Sequence, residues 1–375
     1  MIYLDYSANT PADSRVLERF CEVERSCPGN ANSRHQAGRD AKLVIDHATQ
    51  SIAGLLSAQP AEVIYTSGAS EANNFALKGL AKLSRHLGKH IISTPLEHSS
   101  VSGTLTALQE QGYEIDLVDI KRDGTIDLDH LKELLRPDTI VVAVTMVDSE
   151  LGVVQPVQEI AEILKEYPHC HLHVDATQAV GKIPVSFEGV DTMSLTAHKF
   201  YGLNGIGLLL KRRNLALEPL IHGGESTTIY RSGTPTVALA SSLALALELA
   251  VEQLPEHAEA VQKANAFLRT ELAKYPKVRI NSPENAIPHI LNLSVQDVKG
   301  TVFQRELNEE GVCVSVKSAC SSDGLPSRAV FAVSRDRRNA LSSWRVSLSH
   351  RTTEEDLRGF LAAFDRCYRG LTETK

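Results

Sequence analysis

Thr139-Ile140-Val141-Val142-Ala143-Val144-Thr145-Met146-Val147 is apolar almost without a break. A strand with one wet face alternates apolar and polar residues, whereas a strand buried on both faces does not. Leu208-Leu209-Leu210, inside Gly205–Lys211, reads the same way. Further strand-like runs lie at Glu62–Thr66, His90–Thr94, Ile115–Ile120, His171–Asp175 and Thr192–Thr196. Amphipathic stretches separate several of them, at Glu71–Ser84, Ser99–Gln111, Leu128–Leu135 and Pro156–Glu166. This alternation predicts an α/β fold, a mostly parallel mixed sheet wrapped by helices.

The texture changes after Pro235. Val237–Gln253 is rich in Ala and Leu and suits a long helix. Pro255 interrupts the pattern, and a second helical stretch runs to about Lys274. Shorter strands (Lys277–Asn281, Ile290–Ser294, Val312–Val316, Trp344–Leu348) then mix with helices (Gly300–Glu309, Thr353–Tyr368). The expected division is a large domain over 15–254 and a smaller α+β domain made of 1–14 and 255–375.

Composition bounds the function. The 375 residues are 42% hydrophobic and 23% charged, which excludes a disordered chain. There are 39 basic against 46 acidic residues, a net charge of −7. A protein that grips nucleic-acid phosphates carries the opposite balance, so direct nucleic-acid binding is not expected. No apolar run reaches the ~18–20 residues of a membrane span. The start, Met1-Ile2-Tyr3-Leu4-Asp5, lacks the charged and apolar regions of a leader. The expectation is a soluble, cytoplasmic protein. Its six cysteines show no CxxC pair, which argues against zinc and leaves free thiols.

Three features carry chemistry. Lys199 follows the strand-like Thr192–Thr196 and stands in His198-Lys199-Phe200-Tyr201-Gly202. Ligands of α/β sheets bind at such strand ends, and a lysine there can form a Schiff base with an aldehyde. A lone lysine is more often a solvated loop residue. Asp175 ends His173-Val174-Asp175. A buried carboxylate needs a cationic partner, which a protonated pyridine nitrogen supplies; the alternative is a helix N-cap. Tyr65-Thr66-Ser67-Gly68-Ala69-Ser70-Glu71 is a strand, a small-residue turn and a helix start, a common phosphate cradle. Together, in chain order a phosphate cradle, a carboxylate and a lysine, they describe a pyridoxal phosphate site.

The ordered motifs then resemble one family nearly end to end, the cysteine desulfurases of the class V aminotransferase group. Tyr3-Leu4-Asp5-Tyr6-Ser7-Ala8-Asn9-Thr10-Pro11 is similar to the family's opening. Gly29-Asn30 with Ser33-Arg34-His35, Ser67–Asn74, Glu97-His98, Glu150–Gln155 and His173–Gly181 follow in family order. So do His198-Lys199, Arg231-Ser232-Gly233-Thr234, Ser318-Ala319-Cys320 and Ser343–Ser347 with Thr352–Glu355.

The resemblance implies a type I pyridoxal-phosphate-dependent transferase fold. It also implies an activity: sulfur is removed from L-cysteine to give L-alanine and a protein persulfide. Lys199 would bind the cofactor covalently and shuttle the α-proton. Asp175 would pair with the ring nitrogen and Gln178 with the phenolic oxygen. His98 would lie over the ring and move protons. Ser70 with the Ala69 backbone, Thr196 and His198 would hold the phosphate. Thr234 would reach the phosphate of a neighbouring subunit in a homodimer. Arg345 would clamp the substrate carboxylate, with Asn30 nearby. Cys320 would accept the sulfur and pass it to an acceptor protein, of iron–sulfur assembly or of another thiolation route.

Two positions depart from the family pattern. Ser149, after Asp148, stands where an Asn that contacts cofactor or substrate is usual, and Lys317 stands where a glycine is usual. An ammonium near Cys320 would lower its thiol pKa. Other readings are a selenocysteine lyase or another class V reaction, which would not need Cys320, and a non-catalytic partner in a sulfur-transfer complex. Retention of Lys199, Asp175, His98, Arg345 and Cys320 together argues against the last.

Overall fold

All seven residues of Thr139–Thr145 are buried, as a strand covered on both faces requires. It is the fifth strand of a computed structural model that describes residues 1–317 and 325–372. The strands in chain order begin with β1 (Ile2–Tyr3), β2 (Val63–Thr66), β3 (His90–Ser93) and β4 (Glu114–Leu117). They continue with β5 (Thr139–Thr145), β6 (His171–Asp175), β7 (Thr192–Thr196) and β8 (Gly207–Lys211). β2 to β8 form one seven-stranded sheet, ordered β2-β8-β7-β6-β5-β3-β4. Only β8 runs against its neighbours. The link from β7 to β8 is residues 197–206, without a crossover helix. A parallel return needs a dozen or more residues, so this strand reverses. The α/β expectation holds, and the main strands fall within a few residues of the sequence-based bounds.

The helices of this part are α1 (Ser14–Ser26), α2 (Gln36–Leu55), α3 (Ala69–Ser84) and α4 (Ser99–Gln109), then α5 (Leu128–Leu134), α6 (Val157–Leu164), α7 (Val237–Glu252) and α8 (Leu254–Leu272). Sequence reading did not find α1 and α2. Their buried stripes are thin or made of small residues: Val16 and Val23 on α1, and Gly38, Ala41, Ile45, Ala48, Ile52 and Ala53 on α2. Asp13 caps α1 by accepting from Arg15 N–H, and His35 caps α2 by accepting from Gly38 N–H at 3.2 Å. Both helices pack on the apolar α7. Pro255 does not break a helix but opens one. It lies in the first turn of α8, where a missing N–H costs no bond. No single helix among the described residues is long and apolar enough to cross a membrane.

The remaining strands are β9 (Val278–Ile280), β10 (Ile290–Val295), β11 (Val312–Cys313) and β12 (Ser343–Ser347). The remaining helices are α9 (Gly300–Glu309), α10 (Arg328–Ser334), α11 (Arg337–Ser342) and α12 (Glu354–Thr372). β12, β10 and β9 make an antiparallel sheet. A second core gathers on it around Trp344, which stacks on Phe303 with ring centroids 5.1 Å apart, with Phe360 and Phe364 alongside. β1 pairs in parallel with β11, so the first residues join the last third of the chain. Leu4 N–H then donates to Cys313 O at 3.0 Å, and Thr10 N–H to His198 O at 2.9 Å. One segment thus links the small sheet to the turn after β7.

One close backbone approach near these strand ends is at Gly207. A Cβ there would sit 2.6 Å from Leu195 O and 2.7 Å from Gly68 Cα. Gly54, on α2, has open space around it. Gly207→Ala should therefore cost about 1–3 kcal/mol, as overpacking does. Gly54→Ala should instead stabilise by up to about 1 kcal/mol through helix propensity. Urea unfolding of the two variants checks both signs.

Candidate active site

β2, β6 and β7 end at one edge of the sheet, the side on which parallel α/β sheets bind ligands. Asp175 is the last residue of β6 and Thr196 the last of β7. A single 3₁₀ turn, Ala197–Lys199, follows β7 and presents His198 and Lys199. Opposite, Gly68 caps α3 with φ +154, a conformation that side chains rarely adopt. The first turn of α3, at Ala69 and Ser70, then offers unbonded N–H groups and the positive end of a helix dipole. These parts enclose a cavity of about 340 Å³. Ala69, Ser70, Thr196 and His198 line one region of it, and Asp175, Gln178, Lys199 and His98 another. Ser149 and Arg345 line it as well.

Asp175 is 4% exposed. One oxygen accepts from Thr177 N–H at 2.9 Å and the other from Asn73 Nδ2 at 2.8 Å. Asn73, fully buried on α3, sets the surrounding wiring. A carboxylate only accepts, so the Asn73 nitrogen must face Asp175 and its oxygen must face away. That oxygen accepts from His173 Nε2 at 3.0 Å and Ser194 Oγ at 2.5 Å. The second Asn73 N–H goes to Ser100 Oγ at 2.9 Å, which leaves the Ser100 proton for His98 Nδ1 at 2.8 Å. Ser100 N–H points at the same nitrogen. Burial holds His98 below its usual pKa, so the ring is neutral, with its proton on Nε2. Sequence reading had Asn73 inside a motif but assigned it nothing. Its signal, a polar residue on the inward face of an apolar helix, shows only once that helix is placed.

Lys199 Nζ donates to Ser7 O at 2.7 Å and to Ala8 O at 2.6 Å. Gln178 Nε2 donates to the same Ser7 O at 2.9 Å. Burial, then Lys199 and Lys182, push the His198 pKa down to about 4, so this ring is neutral too. Arg345, 1% exposed, pairs with Asp5 at 3.0 Å and donates to Ser149 O at 2.6 Å. Its Nε is buried and has no hydrogen-bond partner among the described residues. Asp5 also accepts from Ser315 Oγ at 2.7 Å, and Ser315 exchanges two backbone bonds with Arg345. Cys320, five positions further on, lies outside the described residues.

Thr234, expected to serve a neighbouring subunit, and Asn30, expected near the substrate, both lie outside this cavity's lining. Thr234 is exposed and lines a separate recess of about 80 Å³ with Tyr65, Ser67 and Arg231. Asn30 is exposed, and its side chain accepts from Asn32 N–H at 3.0 Å. Two buried carboxyls, Glu97 and Asp148, and a half-buried one, Glu150, stand next in sequence to the cavity-lining Leu96, His98 and Ser149, and sequence reading left them without roles. Burial lifts Glu97 to about 8, with one oxygen left without a partner. Burial, and then Glu150, lift Asp148 to about 7. Burial raises Glu150 as well.

The donor set fits pyridoxal phosphate. A helix start shaped by Gly68 and Gly207 suits a phosphate, a buried carboxylate suits a ring nitrogen, and a lysine amine suits an aldehyde.

The description "Aminotransferase class-V" matches residues 2–360. A protein called cysteine desulfurase IscS, from Dictyoglomus turgidum, is 38% identical over 97% of this chain and 94% of its own length. A solved structure titled NifS-like protein is 34% identical with a TM-score of 0.93, covering 99% of this chain and all of its own. Another, titled SspA in complex with cysteine, is 31% identical with a TM-score of 0.83 over 94% of this chain and all of its own.

The buried carboxyls make stability depend on pH. A carboxyl whose pKa is raised on folding stabilises the fold fully below its unfolded pKa. That contribution is lost as pH rises through the folded value. For Glu97 the window runs from its ordinary value of 4.5 to about 8. Glu97→Gln keeps the shape and cannot ionise. Between pH 6 and 9 its melting temperature should fall by at least about 2 °C less than that of the unaltered protein, the scale of roughly 1 kcal/mol in a chain this long. Calorimetry across that range reads it, and parallel curves would show that Glu97 does not titrate there.

Proposed function

We infer that this chain, which belongs to the class-V aminotransferase family, is a pyridoxal-phosphate-dependent cysteine desulfurase. The observation that carries the reading is the convergence of Lys199, Asp175, His98 and Arg345 on one cavity with a helix-start cradle. Pyridoxal phosphate, when bound, supplies the electron sink that stabilises negative charge on an amino acid's carbon skeleton.

The chain's own residues do the rest. The α3 turn, Thr196 and His198 hold the phosphate, and Asp175 holds the ring nitrogen. Gln178 donates to the phenolic oxygen. Lys199 Nζ, on its short turn, binds the aldehyde carbon and takes the α-proton. Arg345, which lines the cavity, orients the substrate carboxylate. His98 carries its proton on Nε2 and serves first as a proton donor, because its Nδ1 is committed to Ser100. Cys320 is the sulfur acceptor. Its thiolate forms an S–S bond to the sulfur of cysteine as the C–S bond breaks. The electron pair left on the β-carbon takes a proton, Lys199 returns the α-proton, and alanine leaves.

We also propose a homodimer in which Thr234 serves the partner's phosphate site. Thr234 lies outside its own cavity, and the exposed Leu220, Ile221 and Ile229 near it in sequence support the reading. The separate core around Trp344 supports a division into a large domain, 15–254, and a small domain of 1–14 and 255–375. The free thiols among the described cysteines suit a cytoplasmic setting. The sulfur passes to an acceptor protein.

The test is alanine and sulfide release from L-cysteine with a reductant present. Lys199→Ala should abolish turnover and any borohydride-trapped cofactor. Cys320→Ser should keep the cofactor and its response to cysteine but lose at least about 100-fold in alanine release, since serine cannot accept sulfur. In the unaltered protein, mass spectrometry should find the added sulfur on the peptide with Cys320. Normal desulfuration by Cys320→Ser would favour a lyase reaction that needs no protein thiol.

A further inference from the structure

Lys182 stands behind the cavity, four residues past Gln178, and only 8% of its surface is exposed. Its Nζ donates to Gln178 Oε1 at 3.1 Å, its one hydrogen bond among the described residues. No described carboxylate pairs with it, and burial, then the charges of Lys199 and Arg345, push its pKa down to about 7. An ammonium in such a place does not stabilise a fold, so packing is no account of it.

The amide it holds is an account. Gln178 touches Lys182 at one end and Ser7 O at the other. An ammonium only donates and a carbonyl only accepts. The two contacts therefore assign the amide, with its oxygen toward Lys182 and its nitrogen toward Ser7. A flipped amide would set N–H against Nζ and oxygen against oxygen, losing both bonds. Gln178 lines the cavity, and its uncommitted group is the second N–H of Nε2. Ser7 O also accepts from Lys199 Nζ, so the same carbonyl ties this amide to the nucleophilic lysine.

We propose that Lys182 is a positioning residue: by holding Gln178 Oε1 it keeps the amide N–H turned to the cavity, as a donor to an acceptor oxygen on the cofactor ring. This rests on the pyridoxal phosphate reading above. Without Lys182 the amide is held only by its bond to Ser7 O, so it tilts and rotates more easily and its oxygen can turn toward the cavity wall. An oxygen there repels the ring's anionic oxygen.

The experiment is a double-mutant cycle on cofactor affinity. Pyridoxal phosphate is titrated into the full-length chain after removal of bound cofactor, for the unaltered protein, Lys182→Met, Gln178→Ala and the pair. Lys182→Met should weaken binding about 10-fold in the unaltered background, the scale of one hydrogen bond to a charged group. In the Gln178→Ala background it should change affinity less than about 2-fold. Methionine fills similar space without charge, so the cofactor-free melting temperature should hold or rise. Equal losses in both backgrounds overturn the proposal, as does no loss in the unaltered one. A lower melting temperature with unaltered affinity also overturns it and marks a purely structural lysine. If the unaltered chain takes up no pyridoxal phosphate, the cofactor reading fails first and this proposal with it.

Discussion

The carboxylate of Asp175 is taken out of water at the end of a parallel strand, and the surrounding side chains are arranged to make that tolerable. Burying a charge without partners costs several kcal/mol. Asn73 meets one oxygen and a backbone N–H meets the other. Because a carboxylate only accepts, the orientation of Asn73 is determined, and through Ser100 so is the proton on His98. Hydroxyl and ring protons several residues away follow from one negative charge. The same charge is what a protonated ring nitrogen would answer.

The opposite wall is built differently. Arg345 is neutralised by Asp5, from the first strand region, and shares backbone bonds with Ser315. Ser7 and Ala8, two and three residues after Asp5, receive the Lys199 ammonium. One short stretch, Asp5–Ala8, closed into a turn by the bond from Ala8 N–H to Asp5 O, therefore serves the guanidinium, the lysine and Gln178 together. Nearby carboxyls that have no cation of their own, Glu97 and Asp148, avoid the cost of charge by holding their protons. The site thus combines paired charges with neutralised acids.

Much of this is legible in residue order. The apolar β5 run and the strand–turn–helix at Ser67–Glu71 depend on local chemistry, so they are visible without the fold. Lys199 and Asp175 stand at strand ends, which periodicity locates. α1 and α2 are not legible, because α1 buries only Val16 and Val23 and α2 buries mostly Ala and Gly, so neither shows a run of large apolar residues. Pro255 marks the break between α7 and α8 correctly, because a residue that cannot continue a helix interior is suited to begin a new helix.

The sequence by itself determined the α/β class, the sheet-end placement of the lysine and the carboxylate, and the cofactor chemistry they imply. Strand burial, turn chemistry and residue type are local or periodic properties, and a chain displays them in order. Only the tertiary structure decided that Asn73 joins Asp175 to His98, that Asp5 answers Arg345, and that Lys182 holds Gln178. The first two bonds span 102 and 340 residues, and nothing in residue order marks a pair so far apart. The third spans only four residues. Even there, a lysine four positions past a glutamine reads as a solvated pair until the sheet and its helices bury both.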